Sequence, residues 1–342
     1  MASSVGPSRA RKVTLRDVAQ LAGVSVATAS KALNGRDEVS EETRRRVTEV
    51  AERLAFTPNT LAQSILAGRS GTVGLLTNDL DGRFSLPILM GAEDAFGAGQ
   101  MSVFLCDARE DAIREQHHLK ALLGRRVDGL IVVGSKTDPR PPLGSKVPVP
   151  VVYAYAPSTD PADSSVVVDN VRAGRAAVEH LLATGRRHVA HVSGDVSYSA
   201  ARDRAAGAGA ALAEAGLDHV GPVRYGSWSE AWGRAAVAAL LDADEPVDAV
   251  VCGSDQIARG VLDALRDRGV RVPDDVAVVG FDNWEPMISG SRPGLTSVDM
   301  RFQDMGRRAA ERLFAALDGS DHPGVEAIEP RLVVRGSTVP EA

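Results

Sequence analysis

The chain opens on three short amphipathic stretches and then settles into an alternation of apolar runs with helical stripes. Leu15, Val18, Ala19 and Ala22 recur at i, i+3, i+4 and i+7, the spacing of one helix face. Thr14 followed by Asp17 supplies a hydroxyl cap with an acid three residues on. Gly23 breaks this helix, and Ser25 caps a second one that runs through Leu33 with Ala29, Ala32 and Leu33 facing inward. Asn34-Gly35 stops it. A third helix opens at Ser40, has Glu41 and Glu42 in its first turn where the dipole favours anions, and carries Val47, Val50, Ala51 and Leu54 inward. Helix, short turn, helix and supporting helix predict a helix-turn-helix unit.

Beyond residue 70 the period changes. Near-continuous Val-rich runs at Val73–Thr77, Ser102–Asp107, Gly129–Ser135 and Val149–Tyr155 form a first set of strands. Val189–Gly194, Val223–Trp228, Ala249–Ser254 and Val276–Asp282 form a second. Helical stripes separate them near Leu86–Ala98, Ala112–Leu123, Ala173–Ala183, Arg202–Ala215, Glu230–Asp242 and Gln256–Arg268. Strands of this kind between helices of 10–15 residues predict parallel sheets covered on both faces. The expected fold is therefore α/β: an all-α helix-turn-helix head on two doubly wound parallel-sheet subdomains with a crevice between them.

Charge sharpens the division. Residues 1–70 carry eleven Lys/Arg against seven Asp/Glu, a net +4, while the remainder carries 28 against 38, a net −10. A small basic head on a larger acidic body suits a chain of which only the head meets a polyanion. At 342 residues with 44% hydrophobic and 25% charged residues, the composition is that of a soluble globular protein of more than one domain. No apolar run approaches the ~18 residues of a membrane span, and the start lacks a signal-peptide pattern, so a cytoplasmic protein is expected. Cys106 and Cys252 cannot build a disulfide framework or a four-ligand zinc site.

The second helix carries the head's chemistry. Val26, Ala27 and Thr28 are short enough to let it enter a major groove, and Lys31, one turn on, can reach a guanine edge or a phosphate. On pattern alone a three-helix bundle that merely packs remains open. The run from Val13 to Gly74 decides more: Thr14-Leu15-Arg16-Asp17-Val18-Ala19, Ala22-Gly23-Val24-Ser25, Ala27-Thr28-Ala29-Ser30-Lys31-Ala32-Leu33-Asn34 and Pro58-Asn59 stand in order. It resembles the DNA-binding head and hinge of the lactose/galactose-repressor (LacI/GalR) family. The resemblance implies DNA contacts from Thr14, Ser25, Val26, Ala27, Thr28, Ser30, Lys31 and Asn34. It also implies a hinge helix over 58–70 that forms on operator DNA, with Asn59, Ala62, Gln63, Ile65 and Arg69 at the duplex. Ile65 stands where a Leu wedges the minor groove in that family, and its Cβ branch makes it stiffer. Gln63 stands where many members carry Arg, which removes a phosphate contact. A simple linker that packs internally is the other reading of 58–70.

The body resembles the periplasmic sugar-binding architecture that this family carries as its sensor. The implied boundaries are 1–57 for the head, 58–70 for the hinge and 71–342 for the core, with one subdomain at about 71–169 and 299–328 and the other at about 170–296 and 330–338. Ligands of open parallel sheets sit beyond the strands' carboxyl ends. At the family's effector-contacting positions there stand Asp169, Arg202, Trp228, Ser254 and Asp282; Phe84, on the other wall, and Phe281 are further effector-binding candidates. Asp282 and Arg202 would clamp sugar hydroxyls and Trp228 would stack on the sugar. On the residues alone, Asp169 or Asp282 could instead cap the following helix, Arg202 could pair with Asp203, and Trp228 could be core. Ser254 replaces an Asn of some members, and Tyr153-Ala154-Tyr155 replaces a common Asp-Arg pair; Tyr153 and Tyr155 are further wall candidates.

Enzyme signatures are missing: there is no G-x-S-x-G elbow and no G-x-x-x-x-G-K-[ST] loop. Gly207-Ala208-Gly209 falls within a predicted helix, and His188 and His191 fall on opposite faces of a strand. No metal or cofactor is expected. The expected function is a sequence-specific transcription regulator, most often a repressor in this family. Its partners are a pseudo-palindromic double-stranded operator, a small-molecule effector of the sugar class, and a second copy, since the seven residues after Arg335 hold no heptads for a tetramer. Co-repression, an enzyme on the same body, and an architectural DNA binder with a vestigial crevice are the alternatives.

Overall fold

The computed structural model describes residues 13–33, 38–56, 69–78, 80, 83–97, 101–144, 147–243 and 246–340. The chain divides into two compact units, 1–70 and 71–342. In the first, α1 (Leu15–Ala22) starts at a capping box in which the Thr14 amide donates to Asp17 Oδ2 (2.8 Å) and the Asp17 amide to Thr14 Oγ1 (3.4 Å). It ends at Gly23, whose φ of +64° is costly for any residue with a Cβ. In α2 (Val26–Leu33) Ser25 Oγ accepts the Thr28 amide at 3.0 Å, and Ser40 caps α3 (Glu41–Arg53) in the same way through Thr43. Val18, Ala19, Ala22, Ala29, Ala32, Val47, Val50 and Ala51 close one small core among the three helices. These are the inward stripes the spacing predicts.

In the second unit the chain builds β1 (Thr72–Thr77), α4 (Ser85–Phe96), β2 (Ser102–Asp107), α5 (Ala112–Gly124), β3 (Gly129–Val133), β4 (Val151–Ala154) and β5 (Ser164–Val168). It continues through α6 (Asn170–Ala183), β6 (Val189–Ser193), α7 (Ser199–Glu214), β7 (Arg224–Tyr225), α8 (Glu230–Asp242), β8 (Ala249–Cys252), α9 (Asp255–Asp267), β9 (Ala277–Phe281), α10 (Glu285–Ile288) and β10 (Thr296–Asp299). Then α11 (Phe302–Leu317), β11 (Gly324–Ile328) and β12 (Arg331–Val333) follow. The strands form two six-stranded sheets, ordered β11-β5-β4-β3-β1-β2 and β12-β10-β9-β8-β6-β7. Every pairing is parallel except β10 with β12.

The connectivity makes two lobes joined three times. The chain passes to the second sheet after β5, returns after β10 so that α11 packs on the first, and crosses again between β11 and β12. The predicted strand 223–228 shrinks to Arg224–Tyr225, because Gly226 lies against the Trp232 indole, where a Cβ would sit 2.4 Å from the ring, and the chain turns toward α8. Helix α6 lies across α7 at a backbone-to-backbone crossing. A Cβ on Gly174 would meet the Arg204 carbonyl oxygen at 2.0 Å, and one on Gly207 the Val171 carbonyl oxygen at 1.9 Å. This crossing sets where Arg204 enters the crevice. His188 is exposed and His191 buried, the opposite faces expected of a strand. Cys252 is a buried free thiol and Cys106 a half-buried one.

Candidate functional site

Two strand ends face each other across the lobes. In the first lobe Tyr155, just past β4, holds a φ of +73°; in the second, Asp282, just past β9, holds +94°. Both are non-glycine residues in a left-handed region, a cost of order 1–3 kcal/mol each that packing must offset, and such strain gathers where a side chain is aimed for a task. Phe84 stacks on Tyr155 at 4.3 Å between ring centroids, and Phe302 meets both rings edge-on. On the far wall Tyr198 meets Trp228 edge-on at 5.6 Å. Gly194 lets the Trp228 indole lie against the backbone, since a Cβ there would stand 2.2 Å from the ring. Phe84, Tyr155, Tyr198 and Trp228, together with Arg83, Ser135, Ala200 and Arg204, enclose a cavity of about 160 Å³, while Arg83, Asp282 and Phe302 also line a larger one of about 620 Å³.

Arg83 and Arg204 tie this cavity to a charge cluster around Asp282. Arg204 is 2% exposed; its Nε donates to Asn170 Oδ1 (2.8 Å), its Nη1 to the Gly253 carbonyl (2.7 Å), and its Nη2 stands 3.4 Å from Asp282 Oδ1. Phe281 lies beneath the guanidinium, 4.8 Å from ring centroid to Cζ. Arg83 comes from the other lobe: its Nε is 2.8 Å from Asp282 Oδ2 and its Nη1 donates to Gln256 Oε1 at 2.8 Å. Behind Asp282 a second carboxyl, Asp255, accepts from Ser297 Oγ (2.6 Å) and the Trp284 amide (2.7 Å). Burial pushes the Asp255 carboxyl up to about 7, with Asp282 adding to the rise and Ser297, Trp284 and Arg83 opposing it.

A stability signature follows. Between about pH 4 and 7 folded Asp255 keeps a proton that the unfolded chain releases, so its contribution is full at acid pH and is lost as pH rises through about 7. His191, held down to about 3 by burial first and then by His219 and Arg204, acts oppositely, losing stability as pH falls below 6.5. The comparison of wild type with Asp255→Asn isolates the first contribution. Asn can still accept from Trp284 and donate to Ser297. The variant is expected to gain stability relative to wild type as pH rises from 4 to 7, by up to about 1.4 kcal/mol per pH unit, in denaturant titrations at fixed pH. Parallel pH profiles would contradict this.

The sequence-predicted residues do not all converge. Phe84, Trp228 and Asp282 line the crevice, and Phe281 supports its floor. Arg202 does not: it donates to the carbonyls of Val196 and Ser197 and pairs with Asp138 at 3.1 Å. Residues two apart on a helix point about 200° from each other, so the residue that faces Asp282 is Arg204. Asp169 caps α6 through the Arg172 amide (2.8 Å), and Ser254, fully buried, caps α9 through Ile257. Tyr153 is core, its hydroxyl accepting the Leu143 amide, whereas Tyr155 lines the cavity. Sequence reasoning missed Arg204, Arg83 and Asp255. In the head, Ser25, just before α2, and Val26, Ala27 and Lys31 on it are exposed, Thr28 and Ser30 half-buried, and Thr14 and Arg69 exposed. Lys31 pairs with Glu38. Asn34, Asn59, Ala62, Gln63 and Ile65 lie outside the described residues.

Comparison with known proteins places this geometry. Residues 14–59 match the bacterial regulatory proteins of the lacI family, and residues 178–338 match the periplasmic binding protein-like domain. Catabolite control protein A of Priestia megaterium is 34% identical over 308 residues, covering 88% of this chain and 91% of that protein. The HTH-type transcriptional regulator CelR of Thermobifida fusca is 34% identical over 339 residues, covering 96% and 99%. The chain belongs to the lacI family of bacterial regulatory proteins. This LacI-family chain is thus a DNA-binding transcription regulator with a helix-turn-helix head and a periplasmic-binding-protein-like core. Among solved structures, the Lac repressor dimer bound to operator and the anti-inducer ONPF is similar over 96% of this chain and 99% of that one, with 28% identity and a TM-score of 0.78. A CelR–cellobiose complex is similar over 95% and 100%, with 32% identity and a TM-score of 0.67. Among the described residues, no helix of this LacI-family regulator is long and apolar enough to cross a membrane.

Proposed function

We propose that this regulator is a cytoplasmic homodimeric repressor whose hold on a pseudo-palindromic operator is set by a carbohydrate bound between the two lobes. The observation that carries the reading is Asp282, strained, buried and met by Arg204, a residue of the aromatic-walled interlobe cavity, and by Arg83, which lines both that cavity and the larger pocket of about 620 Å³ that holds Asp282. A carboxylate beside a guanidinium takes vicinal hydroxyls in paired hydrogen bonds, and Trp228 and Tyr198 offer faces for the sugar's C–H groups. The relatives' descriptions agree: a dimer on operator in one neighbour, cellobiose in another. The crevice acts as a sensor rather than as a catalytic centre, in keeping with relatives that are regulators.

The domains follow: a head over 1–57, a hinge over 58–70 and a two-lobed core over 71–342. Exposed Val26, Ala27 and Lys31 face the major groove, with Lys31 exchanging Glu38 for DNA, while Arg69 and the hinge residues meet the backbone and minor groove. The test is a thermal-shift screen of the full chain against carbohydrates and nucleosides. At least one carbohydrate is expected to stabilise the core, by about 2.7 kcal/mol at a hundred times its Kd. Stabilisation by nucleosides alone, or by nothing, would overturn the carbohydrate reading.

A further inference from the structure

We infer that the crevice selects a carbohydrate bearing its own anionic group, and that Arg83 is the residue that reads that group. The inference rests on the sensor reading above and narrows it. Arg83 leaves the first lobe and meets the second at Asp282 Oδ2 and Gln256 Oε1. Its guanidinium lies 5.0 Å from the Phe84 ring centroid and 6.0 Å from that of Trp228. Arg204 holds the other oxygen of the same carboxylate. Among the described residues, the cavity is therefore lined by two guanidiniums and no carboxylate, and the one carboxylate they share, Asp282, belongs to the larger pocket beside it. Asp255 lines neither pocket, and both of its oxygens are taken by Ser297 and Trp284.

Sugar hydroxyls that donate to Asp282 take Oδ2 away from Arg83. Arg83 is common to the linings of this cavity, about 160 Å³, and of a larger one, about 620 Å³, that holds Asp282, so a ligand that reaches Asp282 from the aromatic wall displaces Arg83. A neutral sugar then returns only a hydroxyl oxygen to a guanidinium whose side chain is 12% exposed. A phosphate or carboxylate on the sugar returns two parallel charge-assisted bonds. A second observation points the same way. The Trp228 indole N–H is buried in this wall and has no acceptor among the described residues. With Arg83 and Arg204 it makes the wall rich in donors, which fits a ligand rich in acceptors.

Calorimetric titration of the full chain with glucose, glucose 6-phosphate, glucuronate, cellobiose and inorganic phosphate tests the inference, in wild type and in Arg83→Gln. The expected result is tighter binding of a phosphorylated or uronic sugar than of its neutral counterpart by about tenfold or more, collapsing to about twofold in Arg83→Gln. Phosphate preference against uronate preference identifies which anion is read. A neutral sugar bound as tightly as its charged counterpart, or a preference that Arg83→Gln leaves intact, would overturn the inference while leaving the carbohydrate sensor standing. Inorganic phosphate matching the sugar phosphate would overturn it as well, since the sugar ring would then contribute nothing. Binding of none of the probes would count against the sensor reading itself.

Discussion

Asp282→Asn lowers the unfolding free energy of the core by about 3–5 kcal/mol at neutral pH. The side chain is nearly isosteric, so the loss is one of charge rather than of shape. Asp282 answers two guanidiniums, and Arg204 is almost wholly buried. Without the carboxylate Arg204 keeps Asn170 and the Gly253 carbonyl as hydrogen-bond partners but no counter-ion, and an uncompensated buried charge is among the few defects this costly. Asn also tolerates positive φ better than most residues, so backbone strain adds little. A second readout separates this account from simple loss of packing. Asp255 is held up partly by Asp282, so the variant's Asp255 carboxyl falls toward its ordinary value and the pH-dependence between 4 and 7 shrinks. A denaturation midpoint shifted by less than about 1 kcal/mol, with an unchanged pH profile, would contradict the charge account.

Much of this architecture is written in local signals. The capping box at Thr14 and Asp17 and the stripe from Leu15 to Ala22 need only eight residues of context, and α1 forms just there. The Val-rich strands are legible because burial on both faces leaves no polar alternation to confuse them with other elements. The site was harder to read for two physical reasons. Arg202 and Arg204 look alike in sequence, and which one points inward depends on the phase of α7. That phase is set by its crossing with α6 at Gly174 and Gly207, a contact between segments some thirty residues apart. Arg83 lies outside the helices and strands and gains its role only because a second lobe arrives opposite it. Asp169 and Ser254 carried a readable signal for their capping role, each standing just before a helix with its acceptor two or three residues from an amide it can take. Asp255 had none, since only folding brings it to Ser297 and within the field of Asp282.

Filling the crevice is expected to change operator affinity by about 5–150-fold, a coupling of about 1–3 kcal/mol. The core has two lobes joined by three strand-and-loop crossings, and Arg83 with Asp282 and Gln256 ties them across the crevice. A carbohydrate that replaces this tie binds one lobe arrangement better than another, which is the condition for a ligand to shift any equilibrium. The linkage is reciprocal: operator DNA must change carbohydrate affinity by the same factor.

The most direct measurement is the operator dissociation constant of the full chain by fluorescence anisotropy at fixed salt, with and without a carbohydrate that calorimetry has shown to occupy the crevice. The account predicts a shift of at least about fivefold, matched by an equal shift in carbohydrate affinity when operator is present. Identical operator affinity with the crevice filled and unfilled would contradict it.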